Sequence, residues 1–433
     1  MRRKIFSKSI IATVGVMLLL CTAFTASAQM AGEAVRERPI DYKSYMEMVL
    51  KQNLGYAAEK LNVSAAEANI RAAQIFNDPE LSMEYADNSD RSMLMGRSYS
   101  AELSKTFSFG KRSAGIDLAR SEKELNEALL EDYLHNLQAE ATLTWLDALK
   151  QGELYKVREN SYQSVRQLAE GDSLRHSLGK ITYTDALQSR LEAGMVYNEF
   201  LVAQTELYNA YSSLSLWTGS FDRSTPYKPV GNMNREPRIF DAEQLVQIAL
   251  ENRADLVAAL KDVDVAKKEL KVIRRERNLE FDLAVGYNYN TEVKNQEAPA
   301  PQFNGITVGM TIPLKLSNLN RGAVKVAEYR MQQAELNYRQ AELDVELSVI
   351  QSLNYYRAMC EQIARYNGGM LQDAEAVITG KIYSYQRGET SLLEVLDARR
   401  TYDDLQAQYI EVFYEYLSAL VNLERSAGIW DIQ

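Results

Sequence analysis

Two hydrophobic periods alternate along this chain, and the alternation happens twice. Residues 43–77 carry Ala57, Ala58, Ala65, Ala66, Ala68, Ala72 and Ala73 until Pro79 ends the run. Residues 241–277 read the same way, so each stretch predicts a helix built of strong helix formers. The period then falls to two. Leu81, Met83 and Tyr85 alternate with Glu80, Ser82 and Glu84; Tyr99, Ala101, Leu103, Phe107 and Phe109 alternate with Ser98, Ser100, Glu102, Ser104, Thr106 and Ser108. In the second half, Phe281, Leu283, Val285, Tyr287 and Tyr289 alternate with Glu280, Asp282, Ala284, Gly286, Asn288 and Asn290, and Ile306, Val308, Met310, Ile312 and Leu314 with Thr307, Gly309 and Thr311. Four strands of about ten residues are predicted, each with one apolar and one polar or small face, the pattern of transmembrane β-strands.

Everything else reads as helix. No proline occurs between Pro79 and Pro226, or after Pro313. Leu130, Leu134, Leu137, Ala141 and Trp145 recur every three or four residues, as do Val324, Ala327, Met331, Ala334, Tyr338, Ala341 and Val345, which are coiled-coil-like seams. A helix from about Arg112 to Leu168 would extend roughly 85 Å at 1.5 Å per residue, beyond any globular core. Gly171, Gly179, Gly380 and Gly388 mark places where the chain can turn back.

Laid on itself at an offset of 209, residues 179–219 match 388–428 at Gly179/Gly388, Leu187/Leu396, Arg190/Arg399, Glu206/Glu415, Ala210/Ala419, Leu214/Leu423 and Gly219/Gly428, with Asp185 over Glu394. The segment holding Pro226, Pro229 and Pro237 reads as a linker between the copies. The chain is expected to be a tandem duplication, 29–232 and 233–433, each copy running helix, two strands, long helices.

Composition narrows the setting. Arg2, Arg3 and Lys4 precede an apolar run from Ile10 to Leu20, and Ala26-Ser27-Ala28 follows. That is the order of a secretory signal peptide over 1–28, too short to span a bilayer. Its removal takes away four basic and no acidic side chains, moving the formal charge from -10 to -14; a nucleic-acid partner is not indicated. Bulky Leu18, Leu19 and Leu20 before Cys21 do not suit lipid attachment. Two Cys and two His exclude a disulfide scaffold and leave little for a zinc site. No nucleophile and base pair, P-loop or dinucleotide fingerprint is present, so neither an enzyme nor a cofactor is expected. Met93 and Met95 offer thioethers that suit soft metals, though methionine is also a general gap filler.

An exported chain with bilayer-length strands is expected to put them in a membrane. A membrane sheet has to close, because an open edge leaves backbone groups unpaired in lipid. Four strands do not close a barrel; two copies would supply eight and three would supply twelve, and only the larger leaves a useful aqueous pore. A half-buried sheet in a soluble periplasmic coiled-coil protein would give the same period-two signal.

Together these features resemble the TolC-like outer membrane efflux protein family over nearly all of the mature chain. The resemblance is carried by Ala249-Leu250-Glu251-Asn252-Arg253-Ala254-Asp255-Leu256, by Ile312-Pro313-Leu314, and above all by the two turns, Leu178-Gly179-Lys180-Ile181-Thr182-Tyr183-Thr184-Asp185-Ala186-Leu187 and Tyr385 to Ala398. It implies a mainly α fold with a small transmembrane β-sheet. In such a fold four strands per chain build a twelve-stranded trimeric barrel, continued by a long α-helical tunnel across the periplasm. It also implies a passive exit duct in the outer membrane, joined through a periplasmic adaptor to an inner-membrane RND or ABC pump. Small molecules, drugs or metal ions are the expected cargo; a type I protein secretion duct would share the architecture. Carried over from the family, Gly179, Thr182, Asp185, Leu187, Gly388, Ser391, Glu394 and Leu396 are adaptor-docking positions at the periplasmic tip. Tyr385, Glu394 and Asp397 are positions of the channel constriction, where carboxylates and a tyrosine can close the tip by hydrogen bonds. Turn glycines and apolar leucines can equally serve conformation and core alone.

Overall fold

The computed structural model describes residues 37–88, 90, 94–219, 225–231, 236–278, 280–314 and 320–430. The expected signal segment 1–28 and Met93 lie outside them. The chain begins with β1 (Arg38–Asp41), α1 (Tyr42–Gln52) and α2 (Leu54–Ala73), then β2 (Glu80–Asp87) and β3 (Arg97–Ser108). Two long helices complete the first half, α3 (Lys111–Ser177) and α4 (Tyr183–Trp217). After β4 (Tyr227–Val230) the order recurs: α5 (Ala242–Asn252), α6 (Ala254–Arg275), β5 (Glu280–Asn290), β6 (Phe303–Thr311), α7 (Arg321–Arg365), a π-helical turn at Tyr366–Met370, α8 (Leu371–Arg387) and α9 (Leu392–Ala427).

The β2, β3, β5 and β6 segments form one antiparallel sheet in that order. Its register puts the alternation to use. Leu81, Leu103, Val285 and Val308 lie in one row across all four strands, and all four side chains are exposed. Tyr85, Tyr99 and Tyr289 form an aromatic row toward one end, and Phe107 stacks on Phe281 at the other, with ring centroids 5.2 Å apart. Tyr99 and Phe107 are eight residues apart, about 26 Å along a strand, close to the height of the apolar band between the aromatic girdles of a membrane barrel. Lys105 shares this face, and its Nζ lies 5.9 Å from the Phe107 ring, as expected of a lysine reaching toward an interface. Glu84, Glu102, Asp282, Asn288 and Thr307 line the opposite face.

Below the sheet, α2, α3, α6 and α7 pack in the order of the strands above them. The predicted seams are the buried stripes: Leu137, Ala141 and Trp145 on α3, and Val324, Ala327, Ala334 and Val345 on α7. Two cores form where a short helix meets the middle of the long ones, and the second also takes in Ala139 and Leu146 of α3. Tyr45, Val49, Trp145, Leu207, Tyr211 and Leu214 pack together in the first half, and Leu245, Ala249, Val349, Tyr356, Tyr416 and Leu420 in the second. The parallel pair of β1 and β4 closes the first of these, a pairing that no sequence period announced.

Two expectations need correction. The stretches 43–77 and 241–277 are not single helices, because each breaks at an extended residue, Asn53 (φ -61°, ψ 122°) and Arg253 (φ -67°, ψ 123°). Asn53 caps the new helix through Oδ1, 2.8 Å from the Tyr56 N–H. Gly171 and Gly380 lie inside α3 and α8 and turn nothing; only Gly179 and Gly388 do. The aligned pair Gly219 and Gly428 is shared for a different reason. Both have φ near +67°, and each presses against the break in its own repeat: a Cβ would lie 2.2 Å from the Gln52 carbonyl oxygen at Gly219 and 3.0 Å from Arg253 Cγ at Gly428.

Candidate functional site: the helical tip

The two turns at the far end of the long helices are built alike. Gly179 (φ +69°) ends α3 with its N–H donating to the His176 carbonyl at 2.8 Å and the Lys180 N–H to Arg175 at 2.9 Å. Gly388 (φ +78°) ends α8 with the same pair of bonds, Gly388 to Tyr385 at 3.0 Å and Glu389 to Ser384 at 2.9 Å. This is the Schellman closure, which needs a left-handed residue. Three residues later each chain enters the next helix through a hydroxyl cap. Thr182 accepts from the Asp185 N–H at 3.1 Å while Asp185 accepts from the Thr182 N–H at 3.3 Å. Ser391 accepts from the Glu394 N–H at 3.3 Å. Gly, then Ser or Thr, then Asp or Glu at steps of three is a complete two-helix turn.

Six of the eight docking positions therefore have a conformational duty as well: Gly179, Thr182, Asp185, Gly388, Ser391 and Glu394. The other two differ from each other. Leu187 is half-buried and Leu396 is buried, packed with Ile378, Tyr385, Leu392 and Val395 in a small core of the second hairpin.

The three constriction positions are not brought together. Tyr385 is buried between helices, its hydroxyl donating to Asp172 Oδ1 at 2.9 Å. The Arg175 guanidinium lies 4.6 Å from the Tyr385 ring centroid and 3.6 Å from Asp172. Burial, reinforced by the neighbouring carboxylate, pushes the Tyr385 phenol up, so it stays a donor at any ordinary pH. A hydrogen bond to a charged group contributes roughly 1.5–3 kcal/mol, here across 213 residues of sequence and between the two repeats. Glu394 is exposed and paired with Lys381 at 2.6 Å. That lysine, with Thr390 and Ser391, holds its carboxyl down at about 2. Asp397 is exposed on the next turn of α9.

Asp172, Arg175 and Lys381 were not singled out from the sequence. A signal existed for the first: Ser161, Val165, Ala169 and Asp172 form a stripe at helical spacing, all buried, and a carboxylate in such a stripe calls for a partner. Among the described residues no three His, Cys, Asp or Glu side chains could together hold a metal ion. Met95 is exposed, its sulfur 3.8 Å from Asn295 Nδ2.

Comparison with known proteins agrees with this architecture. A family profile described as "Outer membrane efflux protein" matches residues 245–429. The chain is 23% identical over 393 residues to the cobalt-zinc-cadmium resistance protein CzcC of Cupriavidus metallidurans, covering 90% of each. It is 22% identical over 401 residues to the outer membrane protein TolC of Vibrio cholerae, covering 87% of each. The crystal structure of the CmeC outer membrane channel of Campylobacter jejuni superposes with a TM-score of 0.74 at 15% identity, covering 89% of this chain and 85% of that one. With its four-stranded sheet above and its long helices below, the chain has the fold of the TolC-like outer membrane channels, and its second repeat matches the outer membrane efflux protein family.

Proposed function

We propose that three copies of this chain form a passive exit duct for small-molecule efflux, closed at rest at the helical tip and served by a periplasmic adaptor and an inner-membrane pump. One observation carries the trimer. Among the described residues the sheet is open at both β2 and β6, while its apolar face is exposed along its full width. Such a sheet is viable in lipid only if each edge meets an edge of another copy. Three copies give twelve strands, and the helices α2 and α7 at the same two edges would meet in register below them.

Within each chain, Tyr385 acts as the clamp of the resting tip through Asp172, and Glu394 and Asp397 present carboxylates to the passage below it. An adaptor would meet the turns at Gly179 to Leu187 and Gly388 to Leu396. The 90% coverage shared with a cobalt-zinc-cadmium resistance protein supports metal cations as the cargo.

The native mass of the protein extracted by detergent from an outer-membrane fraction tests the assembly, with a three-chain particle expected. Val285→Arg on the lipid face should cost roughly 2–4 kcal/mol per copy near the midplane and reduce trimer yield. A single chain released without detergent would sink the proposal in favour of a periplasmic coiled coil. For cargo, deletion of the gene should raise sensitivity to cobalt, zinc or cadmium; unchanged metal tolerance with raised antibiotic sensitivity would overturn the metal assignment alone.

A further inference from the structure

Eleven residues above Asp172 on α3, a second buried cluster joins that helix to the other arm of the same hairpin, α9. Ser161 is 2% exposed and Asp403, on α9, is 5% exposed. The Ser161 hydroxyl donates to Asp403 Oδ2, and Arg399 Nε donates to the same oxygen at 3.0 Å. Asp403 Oδ1 has no hydrogen-bond partner among the described residues, and neither has Asp172 Oδ2. Arg399 borders both the cavity of about 350 Å³ beside Tyr385 and the one of about 280 Å³ beside Asp403. One turn of α9 carries a further cross-helix tie, Arg400 to Glu192 on α4 at 2.7 Å.

We propose that Ser161, Asp403 and Arg399 form a second clasp of the resting tip, holding α9 to α3 above the Tyr385 contact and releasing with it when the duct opens. The inference rests on the gated duct proposed above. Its warrant is where apolar and polar contacts lie. Ile378, Tyr385, Leu392, Val395 and Leu396 form a core shared by α8 and α9, so that hairpin holds together as a body. Leu168 of α3 packs against that core, and beside it three polar ties join the hairpin to α3 and α4: Tyr385 to Asp172, Asp403 to Ser161, Arg400 to Glu192.

The polar part of this seam separates at smaller cost than an apolar one, because water returns to each group as the helices part, including the carboxylate oxygens that have no protein donor when closed. Arg399 pairs with Asp403 within α9, so it keeps the carboxylate aimed at Ser161 whichever way the hairpin lies. The first repeat has no equivalent. At the offset of 209, Arg399 matches Arg190 but Asp403 matches Gly194. The clasp is therefore specific to the hairpin that moves.

The test is single-channel conductance of purified trimers in planar bilayers, for wild type, Ser161→Ala, Asp403→Ala, Tyr385→Phe, and each of the first two combined with Tyr385→Phe. Ser161→Ala is the sharper variant, since it cuts only the bond between helices and leaves the Arg399–Asp403 pair intact. Losing one hydrogen bond to a charged group should raise the ratio of open to closed channels about ten-fold per clasp, and the double variants should exceed Tyr385→Phe alone. SDS-resistant trimer on gels confirms assembly, so that misfolding of Asp403→Ala leaves the Ser161→Ala result to decide. If Tyr385→Phe opens the channel and neither second substitution adds to it, the clasp is overturned. If no variant conducts ions, the duct itself is overturned instead.

Discussion

From Lys111 to Ser177 the first repeat runs as one helix of 67 residues, about 100 Å long. The matching stretch of the second repeat, Arg321–Arg387, is divided into 45 helical residues, a five-residue π turn and 17 more. The break reads Tyr366-Asn367-Gly368-Gly369-Met370, with Gly369 at φ +108°. Counted from the helix starts, the straight helix has Lys156 to Asn160 at this level, residues that propagate a helix where a glycine pair interrupts one. No side chain between Ile363 and Ile378 is buried on the broken side. The two repeats share their span, their caps and their turn chemistry, and differ in whether the lower hairpin is continuous with the shaft above it. One duplicated unit thus supplies both a fixed wall and a jointed one, and the polar seam of Tyr385 and Asp403 lies between them.

The widest test of that contrast lies far from the tip. Trp145 is 1% exposed in the first core and Tyr356 is 1% exposed in the second. Truncating either to alanine should cost about 3–5 kcal/mol. Because α3 packs against α6 and α9 of the other repeat, both substitutions should lower one shared thermal transition in detergent. Two separate transitions, each moved by only one of the substitutions, would mean that the repeats are separate bodies and that the break at Gly369 matters less than the boundary between them.

A smaller effect distinguishes the glycines that the two repeats share. Alanine at Gly388 meets no atom within 4 Å and pays only for its left-handed backbone, about 1–2 kcal/mol. Alanine at Gly428 adds contacts of 3.0–3.2 Å with Arg253, and at Gly219 a collision at 2.2 Å with the Gln52 carbonyl. Thermal unfolding should rank the losses Gly219 above Gly428 above Gly388. Equal losses at all three would show that backbone handedness alone explains the aligned glycines.

Much of this was legible in the sequence, and the physical reason is periodicity. The alternation of Leu81 to Tyr85 and of Phe281 to Tyr289 set the two faces of the sheet, and the register kept them. The seam of Leu137, Ala141 and Trp145 is buried as its spacing required. Gly179 and Gly388 turn the chain, but Gly171 and Gly380 do not, because a helix tolerates a glycine that is not followed by a hydroxyl cap at the right step. The breaks at Asn53 and Arg253 were missed because neither residue interrupts the apolar period; each is held by contacts from elsewhere, Asn53 Nδ2 to the Trp217 carbonyl at 3.3 Å and Arg253 to the Ser426 carbonyl at 3.2 Å. The partners of Tyr385 and Asp403, at sequence separations of 213 and 242, follow from the packing of one repeat on the other, which no local pattern encodes.

The finest distinction between the two turns is electrostatic. The second turn has an ion clip in addition to its cap: Lys381 Nζ lies 2.6 Å from Glu394 across the hairpin, and the carboxyl is held at about 2 against an ordinary 4.5. A depressed folded value means that the clip's contribution is fully present above pH 4.5 and fades as the pH falls through about 2. Both side chains are substantially exposed, so salt screens the pair and the effect is local. A spin label at Glu389, beside the turn, should gain mobility with a midpoint near pH 2 at low ionic strength. In Lys381→Met, which keeps the stem and removes the charge, the midpoint should climb toward 4.5. An unchanged midpoint would show that the Ser391 cap and Thr390, rather than the clip from α8, hold the carboxylate, leaving the two turns electrostatically alike and the glycine break as the difference that separates the repeats.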